Sequence, residues 1–243
     1  MLSRLASSAS DAELSDVERR DLFARQILQV TTVAPLANMV NVLSVCALLV
    51  YVIPPGHNEF RVIWGSAAFL VVLNSVRVWI PRVVLKGRYT PKHTTKYDYW
   101  ALMLEVILLG LLLVVLAAAM LPVTDNSRKL VLLATFAGVM GAGAVALSTV
   151  RSIAVAWILV HSIGLLVVIL PKRTTEYAVL SFQLVVYSVT LIIGVVYLWA
   201  SFRSRCLAEF EAAAERQTVS LLLDDFEGGS RDWLWEVDTT GTL

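Results

Sequence analysis

Two charged residues, Arg77 and Glu105, stand inside long apolar runs, and they are the first candidates for chemistry in this chain of 243 residues. A charge in hydrocarbon costs about 2.5–3.5 kcal/mol or more, so such a group faces the interior of a helix bundle and takes a partner. At 1.5 Å per helical residue the two lie at depths that differ by only about 3 Å, on consecutive segments running in opposite directions. Asn74 sits one turn from Arg77 on the same face, and Asn41 reaches a similar depth from an earlier segment. The four make a candidate intramembrane polar cluster. Three readings are open: a structural Arg77–Glu105 ion pair, an Arg77 that snorkels to the headgroups beside a neutral or hydrated Glu105, or a ligand or proton site.

His161 falls near the middle of another apolar run, and Gln183 lies within the last one. Each reads as a hydrogen-bonding residue between helices, an interaction worth about 0.6 kcal/mol on average in a membrane bundle. Ligand binding at His161 is the alternative. Haem in a membrane bundle commonly takes paired axial ligands, whereas His57 and His93 fall in connectors on opposite sides. No metal and no cofactor is therefore expected in this region. No Walker A loop or other catalytic signature is present, so no catalytic residue is assigned.

The elements that must position these residues are six apolar stretches: Val33–Ile53, Val62–Ile80, Tyr99–Leu121, Leu130–Leu147, Ile153–Leu170 and Tyr177–Phe202. A spanning helix needs about 20 mostly apolar residues. These stretches are apolar all round, unlike the one-sided helices of soluble proteins. With 58% hydrophobic and 16% charged residues, the chain lies far from soluble composition. The fold class predicted is all-α: a polytopic membrane bundle of six transmembrane helices followed by a cytoplasmic signalling helix. A net charge of +1 argues against a nucleic-acid partner. The first thirty residues are polar where a cleavable signal peptide needs an apolar core.

Six spans bring both ends to one side. That side carries 13 Lys and Arg residues in its connectors and tails, against 5 on the other. Positive charge marks the cytoplasmic face, so both termini are expected in the cytoplasm. The outer connectors are too short to fold as a sensory domain. Any signal must be small, lipidic or within the membrane.

The N-terminal tail holds two Ser-x-x-Glu capping boxes, Ser10–Glu13 and Ser15–Glu18, and then Phe23, Ile27 and Val30 at helical spacing. This predicts a tail with an interfacial helix over residues 1–32. In the fourth span Ala134, Gly138, Ala142 and Ala146 recur every four residues with Gly141 beside them, the spacing that lets helices approach closely in lipid. Packing within the bundle and a dimer seam are the two uses open to it. Beyond the last span, residues 203–227 are rich in helix formers, and Leu207, Phe210, Ala214 and Leu221 fall at a/d heptad spacing. A two-stranded signalling helix, and so a homodimer, is expected there. The alternative is a simple extension of the last span into water.

Gly228-Gly229 then breaks the pattern, and Trp233, Trp235 and Val237 alternate as a strand requires. The run Asp232-Trp233-Leu234-Trp235-Glu236-Val237-Asp238 with Gly241 resembles the first strand and turn of PAS domains in bacterial membrane signalling proteins. More loosely, Arg25-Gln26, Pro35, Asn38, Asn41 and Arg77 are similar to positions in six-span input regions that precede PAS, GGDEF and EAL domains or histidine-kinase cores. The resemblance implies four parts: a tail over 1–32, a transmembrane sensor over 33–202, a signalling helix over 203–227, and the start of a PAS domain from 228. It implies a PAS domain that continues in a longer protein. The implied output is cyclic di-GMP synthesis or breakdown, or a His–Asp phosphorelay. A passive anchor and a small transporter are the rivals. The partners expected are the lipid bilayer, a second copy and a small or lipidic signal.

Overall fold

The computed structural model describes residues 16–51, 62, 65, 66, 69, 96–122, 124–172 and 174–229. Among them there are five long α-helices and no strand: α1 (Asp16–Tyr51), α2 (Lys96–Met120), α3 (Asn126–Ala146), α4 (Arg151–Ile169) and α5 (Thr175–Gly229). A 3-10 turn, Leu170–Lys172, closes α4. The chain divides into two units, 1–201 and 202–243.

Breaks between helices follow from local chemistry. Pro122 cannot continue α2, and Thr124 turns its hydroxyl back onto the Met120 carbonyl at 3.1 Å. Asp125 caps α3: its carboxylate accepts the Arg128 backbone N–H at 2.9 Å and the Ser127 hydroxyl at 3.1 Å. The closing turn of α3 carries Ser148, whose hydroxyl bonds the Val145 carbonyl at 2.7 Å, and α4 starts three residues later. Pro171 sits within the 3-10 turn before α5.

Helix α4 is the centre of the first unit. It packs on α2 and on α3, and α1 packs on α3. Ile153, Ala154, Trp157, Ile158, His161 and Leu165 of α4 are all buried. They occupy two adjoining flanks, because a helix wedged between two neighbours needs more than one apolar stripe. Against them lie Leu113, Leu116 and Ala117 of α2 and Leu132, Phe136 and Val139 of α3. The outward faces are apolar too: Leu104, Leu108 and Leu111 on α2, and Phe182, Val186, Val189 and Ile193 on α5, are exposed. Helices α2, α3, α4 with its 3-10 turn, and α5 are long and apolar enough to cross a membrane. Apolar outside and apolar inside is the pattern of a membrane bundle.

The N-terminal part differs from its sequence reading. Phe23, Ile27 and Val30 predict an interfacial helix leading into the first span. Helix α1 does run unbroken from Asp16 to Tyr51, but Leu22, Ala24, Ile27 and Val30 are buried in the bundle core and do not lie at an interface. The stripe was legible, but apolar spacing alone does not say whether lipid headgroups or neighbouring helices cover it. The apolar stretch of α1 that stands clear is the short one Met39–Leu48. The predicted second span, Val62–Ile80, lies outside the described residues except for Val62, Gly65, Ser66 and Phe69, which are helical.

In the second unit, residues 202–229 are helical. Leu207 and Phe210 are half-buried, whereas Ala214 and Leu221 are exposed. The PAS-like residues Asp232, Trp233, Trp235, Asp238 and Gly241 lie outside the described residues.

Candidate functional site

The densest polar chemistry lies where α3, α4 and α5 meet. Met140 of α3 offers its carbonyl to the indole N–H of Trp157 at 3.1 Å. One turn on, the His161 ring stacks near that indole, with centroids 4.0 Å apart. Its Nδ1 lies 2.9 Å from the Trp157 carbonyl. A carbonyl can only accept, so Nδ1 carries the proton and Nε2 the lone pair. Nε2 is buried and, among the described residues, has no hydrogen-bond partner. A bare lone pair is a cheaper orphan in a dry core than a bare N–H, which selects the same tautomer.

Two glycines make room for these rings. At Gly143 of α3 a methyl group would collide with the Trp157 indole. At Gly110 of α2 it would stand 2.9 Å from Val160 and 3.2 Å from His161 Cε1. The imidazole therefore lies against the backbone of α2.

Beside His161, Ser162 and Ser188 join α4 to α5. Their hydroxyl oxygens are 2.6 Å apart. Ser162 Oγ is also 2.7 Å from the Ile158 carbonyl, and Ser188 Oγ is 2.6 Å from the Leu184 carbonyl. Two hydroxyl protons serve three short contacts, so at most two are hydrogen bonds at once. The residue before Ser188, Tyr187 of α5, donates its phenol to the Ala137 carbonyl of α3 at 2.9 Å. These contacts, with the half-buried Tyr177, Leu184, Leu191 and Ile192, bind α5 to the bundle, and only Ser188 and Val195 of its apolar part are buried.

A second set of polar and aromatic contacts rings the Arg151 end of the bundle. The Tyr99 phenol and the Ser152 hydroxyl are 2.9 Å apart, and Phe23 packs on the Tyr99 ring. Thr149 reaches the Gln26 carbonyl at 3.4 Å. The Arg151 guanidinium lies 4.7 Å above the Trp199 ring. A cation over indole is worth about 0.5–1 kcal/mol at an exposed site. Four helices are thus linked at one level.

At the opposite end a groove opens between α3 and α5. Its mouth, about 530 Å³, is lined by Asn126, Lys129, Thr175 and Glu176 together with apolar walls. A deeper pocket of about 240 Å³ reaches Gln183 and Tyr187. Leu133 and Leu180 line both.

The sequence-predicted residues fall as follows. His161 is wholly buried, with the helix-to-helix surroundings described above. Gln183 is exposed on the groove. Asn41 is buried on α1 and Glu105 half-buried on α2, while Asn74 and Arg77 lie outside the described residues. The small-residue stripe departs from the expectation of packing within the bundle: Ala134, Gly138 and Ala142 are exposed, and among the described residues nothing comes within 4 Å of a methyl placed at Gly138. Helix α3 instead turns Phe136, Val139 and Met140 inward, because these bulkier side chains bury more area, and Gly143 beside them takes the Trp157 indole. Ala146 is half-buried, and Gly141 lies against the Tyr187 hydroxyl. Sequence reasoning missed Trp157, Ser162, Ser188 and the Arg151–Trp199 contact. Only the spacing of His161 and Ser162 from Trp157 on one helix hinted at the first two.

The chain matches no known family model. Comparison with curated proteins and with solved structures finds no match either.

Proposed function

We propose that this chain is a membrane sensory and signal-transducing region, which passes a signal from its bundle through α5 to a cytoplasmic PAS domain and an output domain beyond it. The observation that carries this is α5 itself. It is 55 residues long, well over twice the roughly 20 that a bilayer requires, and its apolar first part gives way to a polar helical part without a break in helical assignment. A transporter or a bare anchor has no need for such an extension. The PAS-like Asp-Trp-Leu-Trp run that follows in the sequence supports the same reading.

In this reading the bundle has six spans, with the stretch around Val62–Ile80 as the second, and sits in a bacterial inner membrane with both termini in the cytoplasm. The 13-to-5 basic asymmetry supports that orientation. The chain acts as a homodimer, paired through Leu207, Phe210, Ala214 and Leu221, with the exposed Ala134, Gly138 and Ala142 as a second seam. Output is cyclic di-GMP turnover or phosphorelay.

Heptad phase tests the proposal. In the longer protein, deleting Glu211–Ala214 turns the following helix by about 40° at 3.6 residues per turn. Deleting seven residues nearly keeps phase. The four-residue deletion should lock or abolish output, and the seven-residue deletion should preserve the response. Equal tolerance of both would make the segment a tether and the bundle an anchor.

A further inference from the structure

The α3–α5 groove has a built polarity that none of the contacts above uses. Its mouth holds one cation and one anion, Lys129 and Glu176. Neither forms an ion pair among the described residues; the Lys129 ammonium donates only to the neutral Asn126 amide at 3.3 Å. The neighbouring charges are already matched, since Arg128 lies 3.5 Å from the Asp125 carboxylate. Lys172 stands over the Tyr177 ring instead of a carboxylate. Below the mouth the walls are mostly apolar: Leu133 and Leu180 bound both halves, Phe136 and Leu184 line the deeper one, and Gln183 and Tyr187 are its polar members. From Thr175 to Tyr187 the groove follows α5 for about 18 Å, somewhat over half the thickness of the hydrocarbon core. The mouth, about 530 Å³, falls within the range of ligand sites, roughly 300–1,000 Å³, and the deeper pocket, about 240 Å³, lies just below it.

We propose that this groove binds a zwitterionic lipid of the surrounding bilayer, one with a phosphoethanolamine-type head. The phosphate meets the Lys129 ammonium, the lipid ammonium meets the Glu176 carboxylate, and one acyl chain runs down the groove towards Tyr187. A purely anionic lipid satisfies Lys129 but sets its charge against Glu176; a neutral one satisfies neither. The acyl chain fills the groove beside α5 with apolar contact, and its end reaches the Tyr187 hydroxyl that ties α5 to Ala137. Occupancy therefore bears on how α5 is held. This deepens the sensing reading, and rests on it for the lipid's meaning as a signal, not for the chemistry of the site.

The test uses the whole chain in vesicles of equimolar phosphatidylethanolamine and phosphatidylglycerol, extracted gently and weighed by native mass spectrometry. Phosphatidylethanolamine should be retained in preference to phosphatidylglycerol. Lys129→Gln and Glu176→Gln should each lower that retention about tenfold, what one charge-assisted hydrogen bond is worth. Leu180→Trp, which fills the groove where its halves join, should abolish it. Equal retention of the two lipids, or undiminished retention by Leu180→Trp, overturns the proposal. Spin labels at Ala214 give the separate readout. Lipid retained with no change at Ala214 upholds the site and removes its role in signalling. A change at Ala214 between vesicles with and without phosphatidylethanolamine, in a protein that retains none, overturns the site and leaves sensing intact.

Discussion

Gly143 and Trp157 show how one missing methyl decides the position of a large side chain. The indole lies on the α3 backbone, close enough to bond the Met140 carbonyl, because position 143 has no Cβ. Gly143→Ala forces the ring out of that seat. Overpacking of this kind costs about 1–3 kcal/mol, and the indole hydrogen bond is lost with it. We expect a lower thermal midpoint in detergent, together with a shift in tryptophan emission. Gly138→Ala, where nothing lies within 4 Å, is the control and should leave both unchanged. Neither effect could be read from the sequence, where Gly138 looked the more constrained of the two because it sits in the four-residue repeat. Repetition signals a face; it does not say which face is used. His161 was legible as buried, but its setting was not, since no spacing rule connects Gly110 of α2 to it or Met140 of α3 to the Trp157 indole beside it.

The boundaries of whole helices were easier to read. Asp125 before Asn126 and Pro122 after Leu121 are local signals, and α2 and α3 end and begin around them. The Asp125 cap has a pH signature. The Arg128 backbone N–H, first of all, and then the Ser127 hydroxyl and the Arg128 and Lys129 charges, hold its carboxyl below the usual 3.8. A group whose folded value is depressed stabilises the fold above its unfolded value, and that gain is lost as the pH falls through the folded value. The start of α3 should thus weaken only below about pH 4. Asp125→Asn, which still caps but carries no charge, should lose this acid dependence; Asp125→Ala should lower stability at neutral pH as well. Melting curves between pH 3 and pH 7 of the three proteins check both statements. By contrast, the burial of Leu22–Val30 was not legible, because an amphipathic stripe fits lipid headgroups and a helix bundle equally well.

For the molecule as a whole, the helices of the described residues that are long and apolar enough to span a membrane followed from composition and from the length of the apolar runs, since bilayer thickness is an external ruler that sequence can be held against. Four spanning-length helices are present among the described residues. Orientation in the membrane rests on the distribution of basic residues and is open to a direct check. Cysteine substitutions at Gly87 and Asn126, probed with an impermeant thiol reagent, should label from the cytoplasmic side and the opposite side respectively. The reverse at both positions would invert the proposed topology, and with it the side on which α5 delivers its output.

The uneven attachment of α5 has a mechanical consequence. The other helices hold one another through interdigitated cores, whose disruption costs several kcal/mol per large side chain, about 2–5 for a leucine cut to alanine. Helix α5 leans on a few polar clasps, at Tyr187, Ser188 and Trp199, each about 0.6–1 kcal/mol, and on a modest set of partly buried leucines. Under tension applied at the C-terminal end, such a bundle does not yield uniformly. The last helix should peel away first and at low force, leaving α1 to α4 standing until a second, higher peak. Single-molecule pulling would record the two peaks, and Ser188→Ala should lower only the first. A helix so lightly sewn to its neighbours can be shifted by small inputs, whereas a fully interlocked one would resist them.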